Sequence, residues 1–291
     1  MSKIIKAIFM VYVLINKNGK VLAAKDYSKV NFCNLNCKFG SEEFPNSSCD
    51  CPKLDKNRCG SDYRMIKFSE NPKHPIYMVK LHNIYRDKLA SGDDRRGGNI
   101  GATDMMALEY DLGLEYTAWC WSHNCLDDHD QCRITPEFDT AGQNQYMWFD
   151  NQPCDESTME DAVDKWYEEI SINKRGRKCI KNFDCDLHGV GHWTQLVWAS
   201  TTHVGCAFSK YLHARTRTIT CNIFCNYGPA GNWQGSRVYT LGRSARDCKQ
   251  THPEYSSLCI GDLPISGNHE AGATIIKLQR FLFFGIILII Y

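Results

Sequence analysis

Apolar positions recur at three- and four-residue steps in three stretches of the chain, and each reads as an amphipathic helix. Met78, Leu81, Tyr85 and Leu89 line the first, with Pro75 at a first helical position and Ser91-Gly92 at its end. Leu114, Ala118, Trp121 and Cys125 line the second, with Asp111 placed to cap it. Met159, Val163, Trp166 and Ile170 line the third, and Ser157-Thr158-Met159-Glu160 has the spacing of a capping box. On a helical wheel of this third stretch Glu168 falls opposite the apolar face, while Glu169 falls at its edge, turned toward the interior. After Trp198 the pattern changes. THVGCAF, ending at Phe208, and TRTITCNIFCNY, ending at Tyr227, are rich in β-branched and aromatic residues and predict strands. Mixed helical and strand segments of this kind predict an α/β (α+β) layered domain with an antiparallel sheet.

The cysteines change the picture most. The chain has 16 of them in 291 residues, with no paired CxxC zinc pattern. An even, scattered count favours a disulfide framework in an oxidising compartment. Five lie close together, Cys33, Cys37, Cys49, Cys51 and Cys59, in a Gly-, Pro-, Asn- and Ser-containing stretch that reads as stapled loops. Both ends point outward from the cell. Lys3 and Lys6 precede an apolar run from Ala7 to Ile15, and Ala23-Ala24 supplies small residues for a cut, the order of a secretory leader over 1–24. Asn46-Ser47-Ser48 is a glycosylation sequon. Phe281 to Tyr291 is an uncharged apolar tail, shorter than the ~20 residues that span a bilayer. With the small residues Ser266-Gly267-Asn268 upstream, it has the order of a lipid-anchor (GPI) attachment signal. A formal net charge of +1 offers no concentrated basic patch for nucleic acid. The glycines of SGDDRRGGNIG lack the phosphate-loop pattern and read as a plain loop.

Candidate chemistry rests on histidines. His82 lies on the first helix, His129 between Cys125 and Cys132, and His192 at the start of GHWTQLVW. A lone histidine is more often a hydrogen-bonded structural ring than a ligand. Two imidazoles and Glu169 would suit zinc, but the pattern alone does not bring them together. Neither a GxSxG elbow nor an HExxH helix is present.

Two longer motifs go further. GHWTQLVWASTTHVGC followed by CNYGPAGNW resembles the paired signatures of the cysteine-rich secretory protein, antigen 5 and pathogenesis-related 1 (CAP) superfamily. HNIYRDKLASG, the segment Met105 to Asp111, HDQCR, GQN at Gly142 to Asn144, and KWYEEI follow in the family's order. The Cys-rich start and GQN are most like the arthropod venom allergen 5 branch. The resemblance covers roughly Asn31 to Tyr239. It implies a three-layer α-β-α sandwich, and a cleft lined in many members by two histidines and two acidic residues. Those positions fall here on His129, His192, Glu169 and Gln143; the last is a departure, because an amide is not a carboxylate base. A zinc ion on His129, Glu169 and His192 is the implied metal site, and His82 falls on a structural position.

The implied disulfides are Cys37–Cys132, Cys59–Cys125 and Cys206–Cys225, with Cys33 joined to Cys49 or Cys51. Proximity pairs Cys248 with Cys259. The implied organisation is a leader over 1–24, a Cys-rich arm over 25–62, a CAP domain over 63–240, a Cys-containing extension over 241–263 and the tail over 264–291. The implied function is a secreted or surface-held binding protein without turnover, for a small apolar ligand such as a sterol or fatty acid, or for a cell-surface or host molecule. Two other readings stand beside it: a metal-assisted hydrolase or peptidase using His129, Glu169 and His192, and a disulfide-hardened interaction module.

Overall fold

The centre of the molecule is a sheet buried on both faces. Its strands are β3 (Tyr63–Lys67), β5 (Gly142–Phe149), β6 (His203–Leu212) and β7 (Ile219–Gly228), antiparallel in the order β3-β6-β7-β5, with a two-residue strand β4 (Glu109–Tyr110) parallel to β6. Burial on both faces shows in β6 and β7, where almost every residue is buried: in β7 Cys221, Ile223 and Cys225 alternate with Thr220, Asn222 and Asn226, which are buried as well. A separate hairpin, β1 (Cys37–Phe39) with β2 (Glu42–Phe44), belongs to the N-terminal arm. The structure, a computed structural model, describes residues 25–261 apart from 61, 99, 150–153, 174, 185, 186, 214 and 216, and earlier only a short pairing of Leu14–Ile15 with Val21–Leu22. The expected leader cut at Ala23-Ala24, Cys185 and the proposed anchor signal over 264–291 lie outside the described residues.

Helix α2 (Leu112–Ser122) covers one face, where Ala118 packs with Ala207 and Phe224. Its first turn lies directly on Gly205: a Cβ there would stand 2.2 Å from Glu115 N, so only glycine fits. Helices α1 (Lys73–Ser91), α3 (Glu156–Glu168) and α4 (Leu187–Leu196) cover the other face, where Met78, Trp166, Trp193 and Leu196 share one core with Cys206, Phe208, Ile223 and Cys225. The result is the α-β-α sandwich that the motifs imply. The segment after β7 is no detached appendage. Leu258 joins the same core, and Cys259 exchanges backbone hydrogen bonds with Met105 and Ala107.

Several local expectations need correction. Pro75 is the third residue of α1, because the helix begins at Lys73. The buried residues of α1 are Met78, His82, Asn83, Arg86, Leu89 and Ala90, so half of them are polar, while Leu81 and Tyr85 pack partly buried against the same core. Arg86 is fully buried and donates to five carbonyls, those of Met106, Leu196, Trp198, Ala199 and Thr201. Helix α2 ends at Ser122, and Cys125 lies beyond it with φ 48°. The cap of α3 is Asp155, whose Oδ1 accepts from Ser157 N at 3.0 Å. The expected box on Ser157 does not form, because the helix begins at Glu156 and the Ser157 N and Oγ both donate to Asp155; the Tyr77 hydroxyl donates to Glu160. Strands β3 and β5 carried no period that announced them.

Seven disulfides join described residues: Cys33–Cys49, Cys37–Cys132, Cys51–Cys120, Cys59–Cys125, Cys154–Cys221, Cys206–Cys225 and Cys248–Cys259. Three of them tie the arm to α2 and the loop that follows it. Cys206 and Cys225 stand directly opposite on β6 and β7. Asn46, read as a glycan acceptor, is 2% exposed. Its Nδ2 donates to Ile134 O at 2.9 Å and its Oδ1 accepts from Ser48 N at 3.0 Å. In the folded chain that nitrogen fastens the arm to the loop after Cys132.

Candidate functional site

Residues from four segments meet at the end of the sheet where β5 and β7 place Gln143 opposite Asn226. At the end of α3 the backbone tightens into a 3-10 turn, Glu169–Ile172. This turn swings Glu169 inward, while Glu168 stays on the surface with Arg96. The Glu169 carboxylate receives two bonds. His192 Nδ1 donates to Oε1 at 2.6 Å, and Trp193 N donates to Oε2 at 2.9 Å. The same carboxylate therefore holds the ring of His192 and the backbone of α4. The His192 ring lies near-parallel to Trp166, centroids 6.2 Å apart, and its carbonyl accepts from Asn144 Nδ2 at 3.0 Å.

His129 approaches from the loop after α2. Its Nδ1 lies 2.7 Å from Gln143 Oε1. The orientation of that amide follows from its other end, where Nε2 donates to Asp130 Oδ1 at 3.2 Å and to Asn226 Oδ1 at 3.0 Å. With two oxygens fixing Nε2, Gln143 must present its oxygen to His129, so Nδ1 of His129 carries the proton. Asp130 is itself buried beside Arg133, the charge partner of its carboxylate. Burial lowers the pKa of His129 below its ordinary value; the bond to Gln143 opposes this and the Arg133 charge reinforces it.

The two rings stand 6.5 Å apart, centroid to centroid. Each has Nδ1 anchored, and Nε2 of each has no hydrogen-bond partner among the described residues. Anchoring one ring nitrogen to an oxygen is how proteins aim the other at a metal. The donor set fits zinc on two imidazole nitrogens. It does not place Glu169 as a third ligand, because both carboxylate oxygens face backward onto α4. Among the described residues the one His/Cys/Asp/Glu group with ligand atoms within 4.8 Å of one another is Cys33, Cys49 and Asp50. Its two sulfurs are a disulfide and offer no thiolate.

His82 lies behind the site and is fully buried. Nδ1 donates to Met78 O at 2.8 Å, and Nε2 accepts from the Tyr227 hydroxyl at 2.8 Å. Desolvation pulls its pKa to about 4. Asp130 and Asn226 complete the cleft network without having been singled out; both sit inside quoted motifs, one residue after His129 and one after Cys225.

Comparison with known proteins agrees with this geometry. The profile of the cysteine-rich secretory protein family (CAP) matches residues 79–227. The chain is 33% identical over 218 residues to venom allergen 5.02 of Dolichovespula maculata, covering 72% of this chain and 94% of that protein. It is 32% identical over 187 residues to venom allergen 5 of Microctonus hyperodae, covering 63% and 77%. The crystal structure of NaASP2 with Zn2+ matches with a TM-score of 0.53 at 28% identity, over 64% of this chain and 94% of that one.

Proposed function

The chain belongs to the cysteine-rich secretory protein (CAP) family, and on that premise we propose that it is an extracellular binding protein without turnover, whose cleft offers two imidazole nitrogens to a metal ion. One observation carries the reading: among the described residues the two carboxylates beside the open nitrogens are committed elsewhere, Glu169 to His192 and Trp193, and the buried Asp130 to Arg133 and Gln143. Both oxygens of Glu169 are engaged, and the position across the cleft is the neutral amide of Gln143. Hydrolysis would need a group to take a proton from the attacking water. Bound zinc would polarise what it coordinates; His129 and His192 would hold it. That a relative of similar fold was solved with Zn2+ supports the choice of metal.

Calorimetric titration with zinc tests this. We expect weak binding that is lost in His192→Ala and in His129→Ala, with the circular dichroism unchanged, and no cleavage of a peptide library. Zinc binding intact in both variants would overturn the metal reading. Peptidase activity that disappears in Glu169→Gln would install the hydrolase in its place.

The proposal includes a small apolar ligand, a sterol or fatty acid, and processing at both ends, with 1–24 removed and the apolar tail exchanged for a lipid anchor after Ser266 to Asn268. Native mass spectrometry of protein from its own source reports lipid, metal and both termini together. Tyr291 found at the end of the mature chain would remove the anchor.

A further inference from the structure

The opposite end of the same sheet has a different chemistry. Between strands β6 and β7 lies a tip at which Arg217 N donates to His213 O at 2.9 Å. Beside this tip lies an open cavity of about 210 Å³, lined by Asp62, Arg64, Lys210, Tyr211, Leu212 and Ile219. Arg64 and Lys210 are register partners on β3 and β6, so two like charges stand directly across a strand pair. Such a pair opposes folding. The tip adds Arg215 and Arg217, both exposed. Among the described residues none of these four cations has a carboxylate within 4.0 Å. Asp62 is the one acid in the lining, so the end is net positive in a chain whose formal charge is only +1. The row continues across the sheet: Lys210 opposes Cys221, and Cys221 opposes Trp148, which is 37% exposed.

We propose that this end of the sheet is a second binding site, for sulfate groups carried on an extracellular polysaccharide. A guanidinium offers paired donors that match the oxygens of a sulfate, and the Lys210 ammonium adds a point charge beside it. Leu212 and Ile219 give the cavity an apolar wall. The Trp148 ring, in the same row, offers a flat apolar surface to a sugar ring. The disulfides place the protein where polyanions are surface glycans rather than nucleic acids. The site is independent of the metal cleft. Ile219 and Asn226 are seven residues apart on β7, about 23 Å along the strand.

The test uses the full, disulfide-bonded chain, with heparin as the sulfated probe and fully desulfated heparin and phosphatidylserine vesicles beside it. The expected result is retention on heparin, none on the desulfated chain, and affinity that falls linearly in log–log with salt. Arg64→Gln with Lys210→Gln should weaken heparin binding about tenfold and flatten the salt slope. Trp148→Ala should weaken it with the slope unchanged, which separates ring contact from charge. Lys210→Glu guards against misfolding: it should raise the melting temperature while lowering affinity. His129→Ala and His192→Ala should bind heparin normally, so failure of the metal reading leaves this one standing. Retention unchanged in the Arg64/Lys210 double variant, equal binding of the desulfated chain, or binding to vesicles alone would each overturn it.

Discussion

The two ends of the β6–β7 pair differ in how they treat polar groups. At the cleft end nearly every polar side chain is answered by another. Gln143 has three partners, Glu169 two, and Arg86 five carbonyls behind them. At the hairpin end Arg64 and Lys210 face each other with no carboxylate within 4.0 Å among the described residues. A closed network fixes geometry, which suits aiming two nitrogens at one ion. An open pair of cations holds no geometry of its own and keeps its charge for something else. Substitutions at the first end should therefore cost stability, and at the second end should return some.

The largest expected effect is Arg86→Met. It removes the side-chain donor from five buried carbonyls, of which those of Trp198 and Ala199 keep a backbone N–H, and urea denaturation should show a loss of about 4 kcal/mol. A loss no larger than that of a surface variant would mean that water answers those carbonyls instead. Next comes acid. His82 is neutral in the fold, with a pKa pulled down to about 4 from 6.5. Its contribution is complete above pH 6.5 and is lost as pH falls from 6.5 through 4, because the unfolded chain takes the proton first. The loss is about 3 kcal/mol. His129, also lowered by burial, adds with the same sign. In His82→Gln the fall in stability between pH 7 and pH 4 should shrink; an undiminished fall would move its source elsewhere.

Glu169→Gln should cost about 2 kcal/mol, since one charged acceptor serves both His192 and Trp193. It should also weaken zinc binding by about tenfold through a ring that is no longer held. A stability loss with zinc affinity unchanged would make Glu169 a purely structural cap on α4. The smallest effect has the opposite sign. Lys210→Glu should stabilise the chain by about 0.5 kcal/mol, by pairing with Arg64 across the strands. If it destabilises, the contrast between the two ends fails.

The sequence by itself determined the outline. Apolar periods located three helices, β-branched runs located β6 and β7, the cysteine count named the compartment, and the wheel separated Glu169 from Glu168. Two motifs then named the family and brought Glu169 together with His129 and His192. Their reach ended at polar partnerships. Nothing in the order of residues showed that Arg86 and His82 lie inside, that Asp130 stands behind Gln143, or that Asn46 is buried as a fastening. Nor did it show that Cys51 joins Cys120 and Cys154 joins Cys221. β5 was silent because its buried positions are polar, Gln143 and Asn144. The reason is physical. Apolar burial is non-directional and leaves a periodic mark on the chain, so it can be read one stretch at a time. A hydrogen bond or a charge pair depends on two groups arriving at one point, and here those groups are far apart along the chain: Arg86 meets Leu196, Glu169 meets His192, and Arg64 meets Lys210. Only the assembled sheet and its covering helices decide which polar groups are answered and which are left open.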